Sequence, residues 1–86
     1  MIDDKVQENW IVYLLLCSDN SIYCGISNNL NKRIAAHNAG KGAKYTKGRL
    51  PVKLIKFFIT DSKSSALKLE YKIKQLSRKE KLEFSL

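Results

Sequence analysis

Five side chains in this sequence have the types and spacing that phosphodiester hydrolysis would use: Tyr13, Tyr23, Arg33, His37 and Glu70. Tyr23 follows Tyr13 by ten residues, Arg33 follows Tyr23 by ten, and His37 lies four beyond Arg33. Cleaving a phosphodiester needs a carboxylate that can hold a metal ion, a cation facing the charge that develops on the phosphoryl oxygens, and a proton acceptor near the attacking water. Arginine meets the second need with a planar fork that matches phosphate. An unperturbed tyrosine titrates near about 10, so as a base it needs a neighbouring cation or metal. His37 can accept or relay a proton. A plainer arrangement uses the same residues: an Arg33–Glu70 ion pair, with the two tyrosines at the edge of a core.

These residues must be carried by elements that bring them together. Trp10 to Cys17, WIVYLLLC, is apolar on both alternating faces, as a central strand covered on both sides would be. Ser18 to Ser21 are turn formers, and Ile22 to Ile26 complete an antiparallel hairpin. Asn28 or Asn29 can cap a helix that runs to about Ala39, anchored by Leu30 and Ile34 and ended by Gly40. Its four-residue spacing sets Arg33 and His37 on one side. A glycine-rich basic loop, Gly40 to Pro51, leads to a third strand, Val52 to Thr60. Ala66, Leu69, Ile73 and Leu76 then form the buried stripe of a second helix, with Glu70 beside it. Ser77 and Glu80 form a capping box for a short last helix. The expectation is an α+β domain, a small three-stranded antiparallel sheet flanked by helices in the order β-β-α-β-α-α. Residues 1–8 are expected to be a flexible arm and residues 9–86 a single domain.

Charge narrows the choice of partner. The 86-residue chain has 16 Lys and Arg against 8 Asp and Glu, a formal net charge of +8. Between Asp19 and Asp61 there is no acid at all, while Lys32, Arg33, Lys41, Lys44, Lys47, Arg49, Lys53 and Lys56 fall there. A stretch that cannot pair its own charges suits a phosphate-tracking surface. Lys41, Lys44, Lys47 and Arg49 are the candidates for phosphate contacts. Tyr45 would either stack on a base or pin the loop to the domain. No apolar run approaches the roughly 18 to 20 residues of a membrane span, so no membrane partner is expected. The polar start, MIDDKVQENW, is unlike a secretory signal, which makes the expected location cytoplasmic. Cys17 and Cys24 fit no usual zinc spacing and read as reduced core residues.

The pattern resembles the GIY-YIG nuclease domain. Ile11-Val12-Tyr13 stands for its first half-motif and Tyr23-Cys24-Gly25 for its second. Arg33, His37 and Glu70, within ALKLEYKIK, fall where the family has its arginine, its histidine or tyrosine, and its metal-binding glutamate. The loop GKGAKYTKGRLPVKL and the ending IKQLSRKEK are similar to the small stand-alone bacterial YhbQ-like branch. Ile11 replaces the first glycine, Ile26 follows Gly25 where some members carry a lysine, and no asparagine follows Glu70. The resemblance implies a metal-dependent endonuclease acting on DNA, with RNA as a second option, with low sequence specificity and a role in DNA repair or processing. It implies one Mg²⁺ or Mn²⁺ on Glu70, with water completing the shell. It implies that Tyr13 orients the attacking water and that Tyr23 bonds the phosphate or the water, either tyrosine being the base. Arg33 would face the phosphoryl oxygens, and Gly25 would let the backbone pass close to a ligand. Two alternatives keep the fold: a nucleic-acid-binding module with little catalysis, and a nuclease subunit that takes its specificity from a protein partner.

Overall fold

The computed structural model describes residues 9–86, and the expected arm, residues 1–8, lies outside the described residues. The sheet has three strands in the order β2-β1-β3, both pairings antiparallel. Strand β1 spans Trp10–Leu16, β2 Ile22–Ser27 and β3 Lys53–Thr60. β1 is central because its side chains are apolar on both faces. Ile11, Tyr13 and Leu15 point to one face, where they pack with Cys17, Leu30 and Val52. Val12 and Leu14 point to the other, where they meet Cys24, Ala66 and Ile73. The hairpin between β1 and β2 turns at Asn20, which takes φ 70, a left-handed conformation that asparagine tolerates. Both cysteines are buried and free.

Helix α1, Leu30–Asn38, covers the Tyr13 face and starts on Asn29, whose side chain accepts from the Lys32 amide. Its last side chain, Asn38, clamps the start of β3. Its amide donates to the Val52 carbonyl at 3.1 Å and accepts from the Val52 N–H at 2.8 Å. The segment expected to be a plain loop contains a single helical turn, α2, Lys44–Lys47. Helix α3, Lys63–Lys74, covers the opposite face of the sheet through Ala66 and Ile73, as its stripe predicts. Helix α4, Arg78–Glu83, starts on the expected capping box: Glu80 accepts from the Ser77 amide at 2.8 Å, and Ser77 from the Glu80 amide at 3.2 Å. The expected α+β order holds, with α2 as the one addition among the described residues. Lys56 donates to the carbonyls of Leu82 and Phe84, so this member of the acid-free stretch holds the chain beyond α4.

Candidate active site

Register brings the first four candidates together. Tyr13 stands opposite Gly25 in the β1–β2 ladder, and the residue that precedes Cys24, Tyr23, shares the Tyr13 face. The Tyr13 ring crosses the Gly25 backbone: a Cβ added there would lie 2.6 Å from Tyr13 Oη and 3.0 Å from Tyr23 Cε2. Gly25 therefore has a packing reason to be glycine. The Tyr13 and Tyr23 ring centres are 6.3 Å apart. Helix α1 supplies Arg33 and His37 one turn apart, as their spacing requires. Tyr13 Oη lies 2.9 Å from His37 Nε2, and His37 packs edge-on against both tyrosine rings. The Arg33 guanidinium lies near enough to both tyrosine hydroxyls to interact with each of them.

Burial divides the cluster into an inner and an outer part. Tyr13 is 1% exposed and His37 0%, whereas Tyr23 and Arg33 are partly open to solvent. Burial pushes the Tyr13 phenol up to about 12, with the Arg33 hydrogen bond opposing the rise. Burial, and secondarily the Arg33 charge, holds His37 below its ordinary value. Arg33 is held above its own ordinary value, chiefly by its hydrogen bond to Tyr13. At neutral pH the cluster thus contains protonated Tyr13, neutral His37 and a firmly charged Arg33. This environment suits Tyr13 to a fixed hydroxyl role better than to that of an unaided base.

Glu70 lies elsewhere in the arrangement. It belongs to α3, on the Cys24 face of the sheet, and its carboxylate meets Lys74 Nζ at 3.5 Å. Arg33 is engaged with the tyrosines, so the Arg33–Glu70 ion pair weighed from the sequence does not form. The Glu70 charge acts on Cys24, next in sequence to Tyr23, while burial pushes that thiol up to about 12. A groove of about 370 Å³ wraps the β2 edge between these regions, lined by Ile22, Tyr23, Cys24, Tyr45, Lys74 and Lys81. Tyr23 borders it from one face and Lys74, the partner of Glu70, from the other. A second groove, about 220 Å³, includes Lys32 and Arg33. The described residues hold no group of three or more His, Cys, Asp or Glu that could hold a metal ion, which leaves Glu70, the carboxylate named by the resemblance, as the candidate ligand. A single carboxylate, 18% exposed and held only by a long lysine contact among its ion pairs, fits an ion that keeps most of its water. It does not fit a cage of protein ligands.

The basic loop is split in use. Lys41, Lys44 and Lys47 are exposed. Arg49 is engaged within the protein: Nε donates to Asp19 at 2.8 Å, Nη1 donates to the Tyr45 carbonyl at 2.7 Å, and the guanidinium lies 4.1 Å from the Tyr45 ring centre. Tyr45 also stacks on Tyr23 at 5.9 Å. With both contacts made, Tyr45 pins α2 onto the site, one of the two roles open from the sequence, and its ring, 41% exposed, also lines the groove. Sequence reasoning missed Thr46 and Gly42, which touch His37, and Lys74 and Lys81, which line the groove. Only Lys74 gave a signal, by standing four residues after Glu70.

Residues 9–83 match the family described as the GIY-YIG catalytic domain. The chain is 56% identical over 72 residues to a UPF0213 protein of Clostridium perfringens, covering 84% of this chain and 77% of that one. It is 55% identical over 71 residues to a UPF0213 protein of Staphylococcus haemolyticus, covering 83% and 87%. Among solved structures, it resembles the solution structure of a UPF0213 protein from Bacillus halodurans at 44% identity and TM-score 0.55. It also resembles that of an E. faecalis protein at 38% identity and TM-score 0.62. Each alignment covers 87% of this chain and 80% of the other.

Proposed function

The chain belongs to the GIY-YIG catalytic-domain family of nucleases, and on that footing we propose that it is a divalent-metal-dependent endonuclease that hydrolyses DNA backbone with little sequence preference, in DNA repair or processing. The observation that carries this reading is Arg33, set beside two tyrosine hydroxyls and lining a groove. A buried structural arginine would be expected on a carboxylate. This one is held by neutral hydroxyls, so its charge remains to be met by an incoming anion.

In this mechanism Arg33 grips two oxygens of the scissile phosphate and stabilises the charge that builds on them. Tyr23, the more accessible phenol, bonds the phosphate or the attacking water. Tyr13 keeps its proton at neutral pH and presents a fixed hydroxyl beneath them. Glu70 would hold the ion, Mg²⁺ or Mn²⁺, across the β2 edge, and that ion would supply Lewis-acid polarisation and a more acidic water. Glu70 must first leave Lys74, which frees a second cation at the groove for a neighbouring phosphate. Exposed Lys41, Lys44 and Lys47 extend the contact along the backbone and make binding fall with salt.

The test is cleavage of supercoiled and branched DNA by the wild type, with Mg²⁺ or Mn²⁺ and with chelator, beside Arg33→Ala. The expected result is metal-dependent nicking that Arg33→Ala reduces by at least about a hundredfold, the scale of removing one charge contact to the transition state. Equal activity in both proteins would place the reaction elsewhere or in a contaminant.

A further inference from the structure

Among the described residues, the least exposed polar side chains lie behind the site, away from solvent. Thr46 and His37 are each 0% exposed, and they form a chain that ends on Tyr13. Thr46 Oγ1 lies 2.7 Å from His37 Nδ1, and His37 Nε2 lies 2.9 Å from Tyr13 Oη. A neutral imidazole carries one N–H, so the direction of this chain depends on which nitrogen has it. The Thr46 hydroxyl alone leaves both directions open, because the Ala43 carbonyl is also in its reach at 3.0 Å. The Ala43 amide favours one of them. A backbone N–H can only donate, and this one points at Nδ1 from 3.4 Å. With that contact made, Nδ1 is the bare nitrogen, Thr46 gives its proton to Nδ1 in preference to the carbonyl, and the imidazole proton sits on Nε2.

We propose that Thr46, with the Ala43 amide, is a positioning residue that fixes His37 as an Nε2–H donor to Tyr13 and thereby orients the Tyr13 hydroxyl. Tyr13 Oη then accepts from His37, while the Arg33 charge acts on it from beside. Its own proton is left for the remaining direction. This makes α2 and the glycine-rich loop part of the site's interior as well as its basic rim. Gly42 lets the loop close over the histidine: a Cβ there would fall 2.6 Å from His37 Cγ and 2.8 Å from its Cα. Among the described residues, Arg33, Tyr23 and Cys24 are the titratable groups that act on Tyr13 besides His37, and Arg33 is the one that acts on His37.

The effect on catalysis rests on the nuclease reading, but the tautomer does not, so the two can fail separately. His37 is the sole histidine, which makes its ring nitrogens directly assignable in a long-range ¹H–¹⁵N correlation spectrum. The wild type should show one neutral tautomer with the proton on Nε2 from about pH 6.5 upward. Thr46→Val keeps the shape and removes the short donor to Nδ1, leaving only the long Ala43 amide contact there, and it should give a mixture of tautomers. Thr46→Ser should restore the single form. On a cleaved DNA substrate Thr46→Val should lower kcat by about ten- to a hundredfold with little change in KM, the scale of a misplaced reacting group, and Thr46→Ser should recover it. A proton on Nδ1 in the wild type, or an unchanged spectrum in Thr46→Val, overturns the assignment. An altered spectrum with unchanged kcat overturns the positioning role. A wild type that shows the Nε2 tautomer yet cleaves nothing contradicts the nuclease reading alone.

Discussion

Tyr13 shows how the residue scale separates what spacing tells from what it hides. Its place on a strand paired with that of Tyr23, and the shared helix face of Arg33 and His37, were legible because period two in the strands and 3.6 in the helix fix which side chains share a face, while the ten-residue steps were legible only through the family resemblance. Its burial to 1% exposure was not legible, because that depends on Gly25 opposite and on a loop closing behind His37. Gly25→Ala places a methyl on the Tyr13 hydroxyl and should cost about 1–3 kcal/mol, read as a lower urea midpoint with unchanged m. A neutral effect would mean that the two tyrosines repack freely. His37 predicts a pH dependence. Burial and Arg33 hold it below its ordinary value, so the unfolded chain takes up a proton that the folded chain refuses. Its contribution is therefore fully present above about pH 6.5 and diminishes as pH falls below it. Asp19, Asp61 and Glu80 are held below their ordinary values and act only in a more acidic window. The urea midpoint of the wild type should drop between about pH 7.5 and about pH 5, and His37→Gln should flatten that slope. Equal slopes in the two proteins would assign the effect to other groups.

At the scale of elements, strands and long helices followed their patterns and the basic loop did not. β1 was readable as central from apolar residues on both faces, and α3 from its stripe. α2 is four residues long, too short to show a stripe, and Ala43 before it offers no side-chain cap. What holds it is tertiary: the Tyr23–Tyr45 stack, the Asp19–Arg49 pair and Thr46 against His37. Composition grouped Arg49 with the lysines because charge is all that composition sees. The fold commits Arg49 to Asp19 and Tyr45. The exposed lysines and Arg49 should therefore part in experiment. Lys44→Ala and Lys47→Ala should each reduce the slope of log affinity against log salt on duplex DNA by about 0.9 for every phosphate that the variant no longer neutralises. Arg49→Ala should leave the slope nearly unchanged and speed amide hydrogen exchange across α2 instead. The reverse pattern would return Arg49 to the phosphate surface and release the lysines from it.

For the whole molecule, the proposed hydrolysis would need a sheet thin enough for its edge to join its two faces. Tyr13, Tyr23, Arg33 and His37 gather on one face, while Glu70 rides on α3 over the other. Periodicity placed all five residues on the right elements, yet no spacing rule could say that a groove would turn the β2 edge from Tyr23 to Lys74, the partner of Glu70. That turn is set by strand order, with β2 outermost. The net charge of +8 sorts in the same way. Arg33 faces the tyrosines, Arg49 and Lys56 hold the fold, Lys74 and Lys81 line the groove, and the loop lysines are exposed. If the two faces form one hydrolytic centre, Arg33 and Glu70 act on the same reaction. The most direct test is a double-mutant cycle on cleavage rate with Arg33→Ala, Glu70→Ala and the pair. Each single change should then remove nearly as much activity as both together. Reductions that simply multiply, or a Glu70→Ala protein as active as the wild type, would contradict it.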